Sequence, residues 1–276
     1  MVKQIKSKEI ILDITVIALW AVVIFGINIW GYDLWSPDEP RYAEVAREMI
    51  TTGDYLVPRV NGIPYFEKPP LLMWLMSLFS LPFGDITELS ARLPSVLSGV
   101  ATVLLTYLLA GELFGRRIAW FSALVLMTMQ RFWWQARFGQ IDMLLSFLLL
   151  LSLYSFLKWE KNNEHRNSPW LFTFYISIAL ALLSKGPGTL VFPALFLITY
   201  IYFDKRRILM QDIRLENGTI LTTRRTTYIL ALAMIKSMRP IMGLVIVLIP
   251  YTVWYAYARW SASAELNLNV SHVALS

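Results

Sequence analysis

Long apolar runs separated by short polar segments dominate the hydrophobic pattern of the chain. Because a helix that crosses the hydrocarbon core of a bilayer needs about 20 mostly apolar residues, each run predicts a candidate transmembrane helix. Seven runs qualify: Ile10–Trp30, Leu93–Phe114, Ile118–Trp134, Met143–Trp159, Trp170–Ser184, Leu190–Phe203 and Ile241–Tyr257. The pattern therefore predicts an all-α polytopic membrane protein with about seven transmembrane helices.

One further apolar run, Leu71–Phe83, is only about thirteen residues long and is bounded by Pro69, Pro70 and Pro82. A run of this length is too short to cross the hydrocarbon core as a helix, and proline interrupts helices. The run therefore predicts an interfacial or re-entrant segment, and it is not counted among the spans.

Basic residues collect on alternate loops, which predicts the orientation of the bundle. If the amino terminus lies in the cytoplasm, sixteen of the 25 Lys and Arg residues fall on cytoplasmic segments, as the positive-inside rule requires. The largest of these is a basic cytoplasmic segment at 204–240, and an outer tail is expected at 259–276. Residues 1–276 thus form one membrane domain, and its first loop, residues 32–92, is expected on the outer face.

The composition agrees with a bilayer as the solvent. Of the 276 residues, 57% are hydrophobic and 16% are charged, against about 25% charged residues in an ordinary soluble chain. A water-soluble single domain is excluded. The net charge of +6 is explained by the basic loops, so no nucleic-acid partner is expected. The absence of cysteine excludes disulfides, iron–sulfur clusters and thiol nucleophiles.

The first loop is predicted to contain an amphipathic helix. Ser36 is followed by Pro37 and then by Glu39, which is the spacing of a capping box, so a helix is expected to start at Ser36. Gly53 is expected to end it. Apolar residues at helical spacing form one stripe that would lie on the membrane or on other helices: Tyr42, Val45, Ala46, Met49 and Ile50.

Charged residues at predicted helix ends are the candidate functional groups. Asp38 and Glu39 would lie in the first turn, where the helix dipole favours ionised carboxylates, with Arg41 on the same side as Asp38. The same Asp-Glu pair is also common as plain first-turn residues. Asp142 and Lys185 are expected on the same membrane side, because SKGPG should end the fifth span at Lys185. Snorkelling to the interface would explain Lys185 equally well.

Six short elements follow one another along the chain: DExRYAE, GD followed by VP, YFEKPP, ELSARLPS, an aromatic turn before Asp142, and SKGPG. In this order they resemble the polyprenyl-phosphate-sugar-dependent membrane glycosyltransferases of the GT-C superfamily. The resemblance covers roughly residues 10–205 and is closest to bacterial ArnT-like enzymes and to dolichyl-phosphate-mannose protein mannosyltransferases. It implies a GT-C-like domain in a bacterial inner membrane, with a polyprenyl-phosphate-linked sugar as donor and a glycolipid or a protein as acceptor.

The resemblance also implies roles for individual residues. Asp38 would be the main catalytic carboxylate, with Glu39 beside it and Asp142 as a second acid. Three basic residues would surround the lipid phosphate: Arg41, Lys68 and Lys185. No cofactor is certain. Glu67 resembles a residue that helps to hold zinc in some ArnT-like enzymes, but a divalent metal needs more ligands than one carboxylate.

These residue types suit glycosyl transfer. A polyprenyl-phosphate sugar leaves an anion behind as its anomeric bond breaks, and fixed cations stabilise that charge. A carboxylate can take a proton from an acceptor hydroxyl or stabilise oxocarbenium-like charge, and both roles stay open. The expected function is transfer of a monosaccharide to lipid A, another glycolipid or a protein. Because family members are usually longer, the alternative is a truncated, noncatalytic member that binds or transports the carrier.

Overall fold

The computed structural model describes residues 7–161, 168–215 and 234–274. Helices account for most of these residues: α1 (Ser7–Gly26), α2 (Asp38–Thr52), α3 (Leu71–Ser80), α4 (Glu88–Phe114), α5 (Arg116–Thr128), α6 (Gln130–Arg137), α7 (Ile141–Lys161), α8 (Pro169–Lys185), α9 (Val191–Leu215) and α10 (Pro240–Ala274). A short 3-10 helix, Pro187–Leu190, joins α8 to α9. Two short strands, β1 (Arg59–Val60) and β2 (Ile63–Pro64), pair in antiparallel fashion.

Four helices within the described residues are long and apolar enough to cross a bilayer: Lys8–Gly26, Glu88–Phe114, Ile141–Lys161 and Pro240–Glu265. They confirm the predicted all-α membrane architecture. The predicted count of seven spans is not confirmed, because α8 and the apolar segment Pro187–Phe203 are shorter. The run predicted as the third span is divided at Met129, whose extended backbone separates α5 from α6.

The short apolar segment forms helix α3, which has ten residues and is about 15 Å long. It packs against α2 and α4, and its residues Leu72, Met73 and Met76 are fully buried. The Ser77 hydroxyl donates a hydrogen bond to the Ala46 carbonyl of α2 at 3.1 Å. The segment is therefore a helix packed within the protein, and it positions α2.

Helix α2 differs from the sequence prediction at its start and agrees with it at its end. Gly53 ends it with φ 73°, as predicted, and the predicted apolar stripe faces the interior. The predicted capping box is wrong: α2 begins at Asp38, and Pro37 precedes it without a side-chain cap. The Glu39 carboxylate, which a capping box would direct to the Ser36 N–H, instead accepts from the Trp35 N–H and pairs with Arg92 of α4.

Arg92 of α4 and Glu39 of α2 form a buried ion pair that holds the first loop on the bundle. Neither side chain has exposed surface, and Arg92 Nη2 lies 2.9 Å from Glu39 Oε2. The guanidinium also donates to the carbonyls of Ile29, Tyr32 and Asp33 at 2.5, 2.9 and 2.8 Å. The buried cation is therefore balanced by a carboxylate and hydrogen-bonded to three carbonyls, as burial of a charge requires.

The Glu39 carboxylate also binds backbone groups of two other segments. It accepts hydrogen bonds from the Trp35 N–H at 2.7 Å and from the Gly139 N–H. Gly139 has no room for a side chain, since a Cβ there would lie 2.8 Å from the Ala91 carbonyl oxygen of α4. The ion pair thus joins the first loop, α2, α4 and the turn between α6 and α7.

Helix α10 packs on the first loop through its central part. The Trp254 indole donates to the Leu56 carbonyl at 2.9 Å, and Arg59 Nη2 lies 2.7 Å from Glu265 Oε1. The Arg259 guanidinium lies 5.3 Å from the centre of the Phe66 ring. The predicted tail 259–276 is helical through Ala274, and residues 216–233 of the predicted basic segment 204–240 lie outside the described residues.

The buried ion pair generates a stability prediction. Replacing Arg92 by Met leaves the Glu39 charge buried without a partner, so the free energy of unfolding should fall by about 3–5 kcal/mol. Adding Glu39→Gln to Arg92→Met should recover part of the loss. The measurement is equilibrium unfolding in detergent. The control is Arg47→Met, whose half-exposed ion pairs should contribute about 0–1 kcal/mol; equal losses in the two variants would contradict the prediction.

Candidate functional site

A cavity of about 240 Å³ opens where the start of α2, the segment after β2, the start of α7 and the end of α8 meet. Its lining contains three carboxylates and three cations, all of them singled out from the sequence: Asp38, Arg41, Glu67, Lys68, Asp142 and Lys185. Tyr42, Gln140 and Ile141 complete the lining. The structure therefore brings together six of the seven predicted site residues.

Helix ends place these charges around one opening. Asp38 and Arg41 lie in the first turn of α2, and Asp142 is the second residue of α7. Lys185 is the last residue of α8, as SKGPG predicts. The chain can turn there because Gly186 adopts φ 91°, in the region that residues with a side chain rarely occupy.

The Asp142 carboxylate is held from two sides. Its Oδ1 contacts the Lys185 ammonium, and its Oδ2 accepts a hydrogen bond from Gln135 Nε2 at 3.2 Å. The Asp142 and Lys185 side chains are 45% and 41% exposed. Since exposed ion pairs contribute only about 0–1 kcal/mol, an incoming anion can compete with Asp142 for Lys185 at small cost. Lys185 therefore pairs with Asp142. Snorkelling to the interface would not require such a partner.

Arg41 belongs to a second, looser pair in the same cavity. Its Nη1 lies 3.8 Å from Glu67 Oε2, and both side chains are well exposed. The nearby Tyr65 hydroxyl, followed by the charges of Glu67 and Asp38, raises the pKa of Arg41. Arg41 therefore stays cationic at any physiological pH. The Tyr65 hydroxyl itself is buried outside hydrogen-bonding geometry with any described residue, and burial raises its pKa.

Asp38 and Lys68 differ from these paired groups. Both line the cavity and are half-buried, and neither has a hydrogen-bond or ion-pair partner in the part of the chain that the structure describes. Burial raises the pKa of the neighbouring Tyr42, and the Asp38 charge raises it further, so the phenol stays protonated. The cavity thus presents one uncommitted carboxylate, which can accept a proton, and one uncommitted ammonium, which can bind an anion.

Glu39 is the predicted site residue that does not line the cavity. Its side chain has no exposed surface and is engaged by Arg92 and by the N–H groups of Trp35 and Gly139. It fixes the backbone beside Asp38, which is a positioning role. Sequence reasoning missed Arg92, Gln135 and Gly139 as partners; the arginine inside the apolar run of ELSARLPS was the one available signal.

The described residues do not fit a metal centre. No group of three or more His, Cys, Asp or Glu that could hold a metal ion occurs among them. Glu67 faces Arg41 instead of a second ligand. His165 and the His272 side chain lie outside the described positions. The divalent metal stays a prediction, and no chemical step is assigned to it.

The profile of the dolichyl-phosphate-mannose-protein mannosyltransferase family matches residues 11–237, which is most of the chain. The chain belongs to this family. Membership confirms the GT-C resemblance read from DExRYAE, YFEKPP and SKGPG.

Curated relatives of this family member include bacterial proteins that are much longer. An uncharacterised protein of Aquifex aeolicus is 33% identical over 186 residues, which cover 67% of this chain and 36% of that protein. The undecaprenyl phosphate-alpha-4-amino-4-deoxy-L-arabinose arabinosyl transferase of Aeromonas hydrophila is 31% identical over 174 residues, covering 62% of this chain and 31% of that protein. The chain thus spans about a third of the length of the curated relatives it matches.

Solved structures share the architecture of this family member. The structure of ArnT from Cupriavidus metallidurans bound to undecaprenyl phosphate superposes with a TM-score of 0.66 at 26% identity, covering 89% of this chain and 41% of that one. The Archaeoglobus fulgidus oligosaccharyltransferase gives a TM-score of 0.59 at 15% identity, covering 95% and 34%. The second likeness shows a common fold alone. Together with the four apolar helices, these structures show an integral membrane protein of the GT-C type.

Proposed function

We propose that this protein is a glycosyltransferase that moves a monosaccharide from a polyprenyl-phosphate carrier, such as undecaprenyl phosphate, to a membrane-proximal acceptor. The observation that supports this most directly is the cavity in which Asp38, unpaired within the described residues, lies among Arg41, Lys68 and Lys185. Family membership and the named arabinosyl transferase relative support the same donor class. We place the cavity on the periplasmic face of a bacterial inner membrane, with the amino terminus in the cytoplasm.

In the proposed reaction, the cations stabilise the leaving group. The carrier begins as a phosphodiester with one negative charge, and it leaves as a phosphate monoester after the bond between the anomeric carbon and the phosphate oxygen breaks. Negative charge on the phosphate therefore grows in the transition state, where preorganised cations are most effective. Lys68 is free to bind this phosphate, Arg41 is half-exposed beside it, and Lys185 can exchange Asp142 for it.

On the opposite side of the sugar, Asp38 would activate the acceptor. An acceptor hydroxyl attacks the anomeric carbon from the face opposite the leaving phosphate, and its proton passes to the Asp38 carboxylate. The bond to the phosphate oxygen breaks as the new bond forms, so the configuration at that carbon inverts. An acceptor phosphate would need no base, and Asp38 would then stabilise oxocarbenium-like charge on the sugar. The protonated Tyr42 hydroxyl beside Asp38 can donate a hydrogen bond to the donor sugar. A glycolipid such as lipid A and a protein hydroxyl both fit this chemistry.

One prediction of this mechanism concerns Asp38, the proposed base. Asp38→Asn should lower transfer of a radiolabelled sugar from undecaprenyl phosphate about 10²- to 10⁴-fold, because the carboxylate that accepts the proton is lost. Binding of undecaprenyl phosphate should not weaken, because all three cations of the cavity are kept. The matched control is Asp85→Asn, which removes an acid of the same loop outside the cavity. Full transfer by Asp38→Asn would contradict the assignment, and carrier binding without transfer by the unaltered chain would support the noncatalytic alternative.

A second prediction concerns the phosphate-binding cations. Lys68→Gln and Lys185→Gln should each weaken binding of undecaprenyl phosphate about ten- to hundredfold, because each loses a hydrogen bond to a charged group. The measurement is a titration of the detergent-solubilised protein with the carrier. Lys161→Gln is the control, since this exposed lysine lies at the other end of α7. Unchanged binding in both cavity variants would show that the phosphate lies elsewhere.

A third prediction is that removing Asp142, the partner of Lys185, strengthens carrier binding, whereas the lysine substitutions weaken it. Asp142→Asn removes the resident partner of Lys185, so carrier affinity should rise severalfold although a cavity residue has been altered. The gain should shrink when Lys185→Gln is already present, because the competition between Asp142 and the phosphate is then absent. The same titration measures both effects. Weaker binding by Asp142→Asn would mean that the carboxylate helps to hold the donor.

A further inference from the structure

Gln135 of α6 is a buried polar residue that contacts the candidate site from behind. Its side chain is 8% exposed and does not line the cavity, but its Nε2 donates a hydrogen bond to Asp142 Oδ2 at 3.2 Å. Lys185, which does line the cavity, contacts the other oxygen of Asp142, Oδ1. The two carboxylate oxygens are thus bound from different sides, one by a buried amide and one by an exposed ammonium.

Helix α6 is anchored on both sides of Gln135. Two residues before it, the Trp133 indole donates to the Ile24 carbonyl at 3.2 Å. Two residues after it, Arg137 Nη2 donates to the Ile27 carbonyl at 2.7 Å. Both carbonyls lie at the end of α1, where backbone carbonyls lack helical partners. The side chain of Gln135 therefore projects from a helix that is held in place.

The carbonyl end of the same amide is left without a partner. Only the amide nitrogen can donate to a carboxylate, so Gln135 Oε1 must point away from Asp142. This oxygen is buried and has no hydrogen-bond partner among the described residues. An unsatisfied buried acceptor costs free energy, which an apolar side chain of the same shape would avoid. The cost is explained if the donor at the other end is needed for function, because local conflicts of this kind occur at functional sites.

The hydrogen bond from Gln135 bears on the exchange of partners at Lys185. When Lys185 turns from Asp142 to the phosphate of the carrier, the amide stays on the carboxylate and stabilises its charge. It also restricts how far the Asp142 side chain can follow the departing ammonium. Because Gln135 and Lys185 share one carboxylate, their interactions with it are energetically coupled. Loss of the amide donor would therefore tighten the pair between Asp142 and Lys185.

We propose that Gln135 is a positioning residue, which restrains Asp142 so that Lys185 is released to the phosphate of the polyprenyl carrier. The inference rests on the proposed function, because it concerns binding of the same donor in the same cavity. Gln135 lies outside the cavity lining and acts through Asp142 alone.

The first experiment titrates the full chain in detergent with undecaprenyl phosphate. Gln135→Met removes the donor with little change in shape, so affinity should fall about three- to tenfold as Asp142 competes better for Lys185. When Asp142→Asn is already present, the same change should have little effect. Gln130→Met is the matched control, because Gln130 is an exposed glutamine at the start of α6 and outside the cavity, and it should change nothing. Thermal unfolding of each variant confirms that it is folded.

Gln135→Glu gives a pH profile that packing alone would not produce. The introduced carboxyl lies beside that of Asp142, and two carboxyls so close share one proton. At about pH 5 its O–H replaces the amide donor, so carrier affinity should match that of the unaltered chain; at about pH 9 both groups ionise and affinity should be lower. Comparison with the unaltered chain at each pH cancels the titration of the carrier and of the other cavity groups: Asp38, Arg41, Tyr42, Glu67, Lys68 and Lys185.

A last arm needs no carrier and therefore separates this inference from the proposed function. The full chain is treated with an amine-acetylating ester, and the rate of Lys185 acetylation is read by peptide mass spectrometry. Lys185 should react more slowly in Gln135→Met and faster in Asp142→Asn. If these rates change as expected but the unaltered chain binds no undecaprenyl phosphate, the proposed function fails and the restraint on Asp142 stands. Unchanged acetylation in Gln135→Met, an equal loss of affinity with and without Asp142→Asn, or the same effect of Gln135→Glu at both pH values would each overturn the inference.

Discussion

The buried pair between Arg92 and Glu39 is the constraint on which the rest of the structure depends. A charge without contact with water must be balanced and fully hydrogen-bonded, so the first loop can take only the path that brings its carbonyls to Arg92. Glu39 is adjacent to Asp38, and its partner Gly139 lies three residues before Asp142. One interaction thus sets both walls of the cavity.

The cavity lining carries no net charge, but only some of its charged residues have partners. Three acids and three cations line it, and four of these six residues already face each other as Asp142 with Lys185 and Arg41 with Glu67. Asp38 and Lys68 are the two that are not paired in the described part of the chain. A neutral lining with loose pairs can accept an additional anion by rearranging partners, without first creating a strongly positive surface. The family supplies the class of chemistry, and the geometry indicates which groups are free to perform it.

The cavity residues could be predicted from the sequence because short motifs in their own segments mark them. Turn and helix-end motifs place Asp38, Asp142 and Lys185 at helix termini, and alternation of apolar runs puts those termini on one side. The capping box at Ser36 was wrong because Glu39 binds the Trp35 N–H and Arg92 instead. Arg92 is 53 residues away in the chain, beyond any local rule. The break between α5 and α6 at Met129 could not be predicted from hydropathy, because a single extended residue does not change the average over an apolar run. The pairing of Asp142 with Gln135 and Lys185 likewise depends on tertiary packing.

The contact between α10 and the first loop has a consequence for biogenesis. Trp254 binds the carbonyl of Leu56, a residue made 198 positions earlier, and Arg259 stacks on Phe66, two residues before Lys68. At a translation rate of about 5–20 residues per second, the loop must wait roughly 10 to 40 s for these partners. Until α10 is inserted, the wall that contains Lys68 lacks its outer support. Maturation of the pocket is therefore a late event, timed by the ribosome rather than by the loop itself.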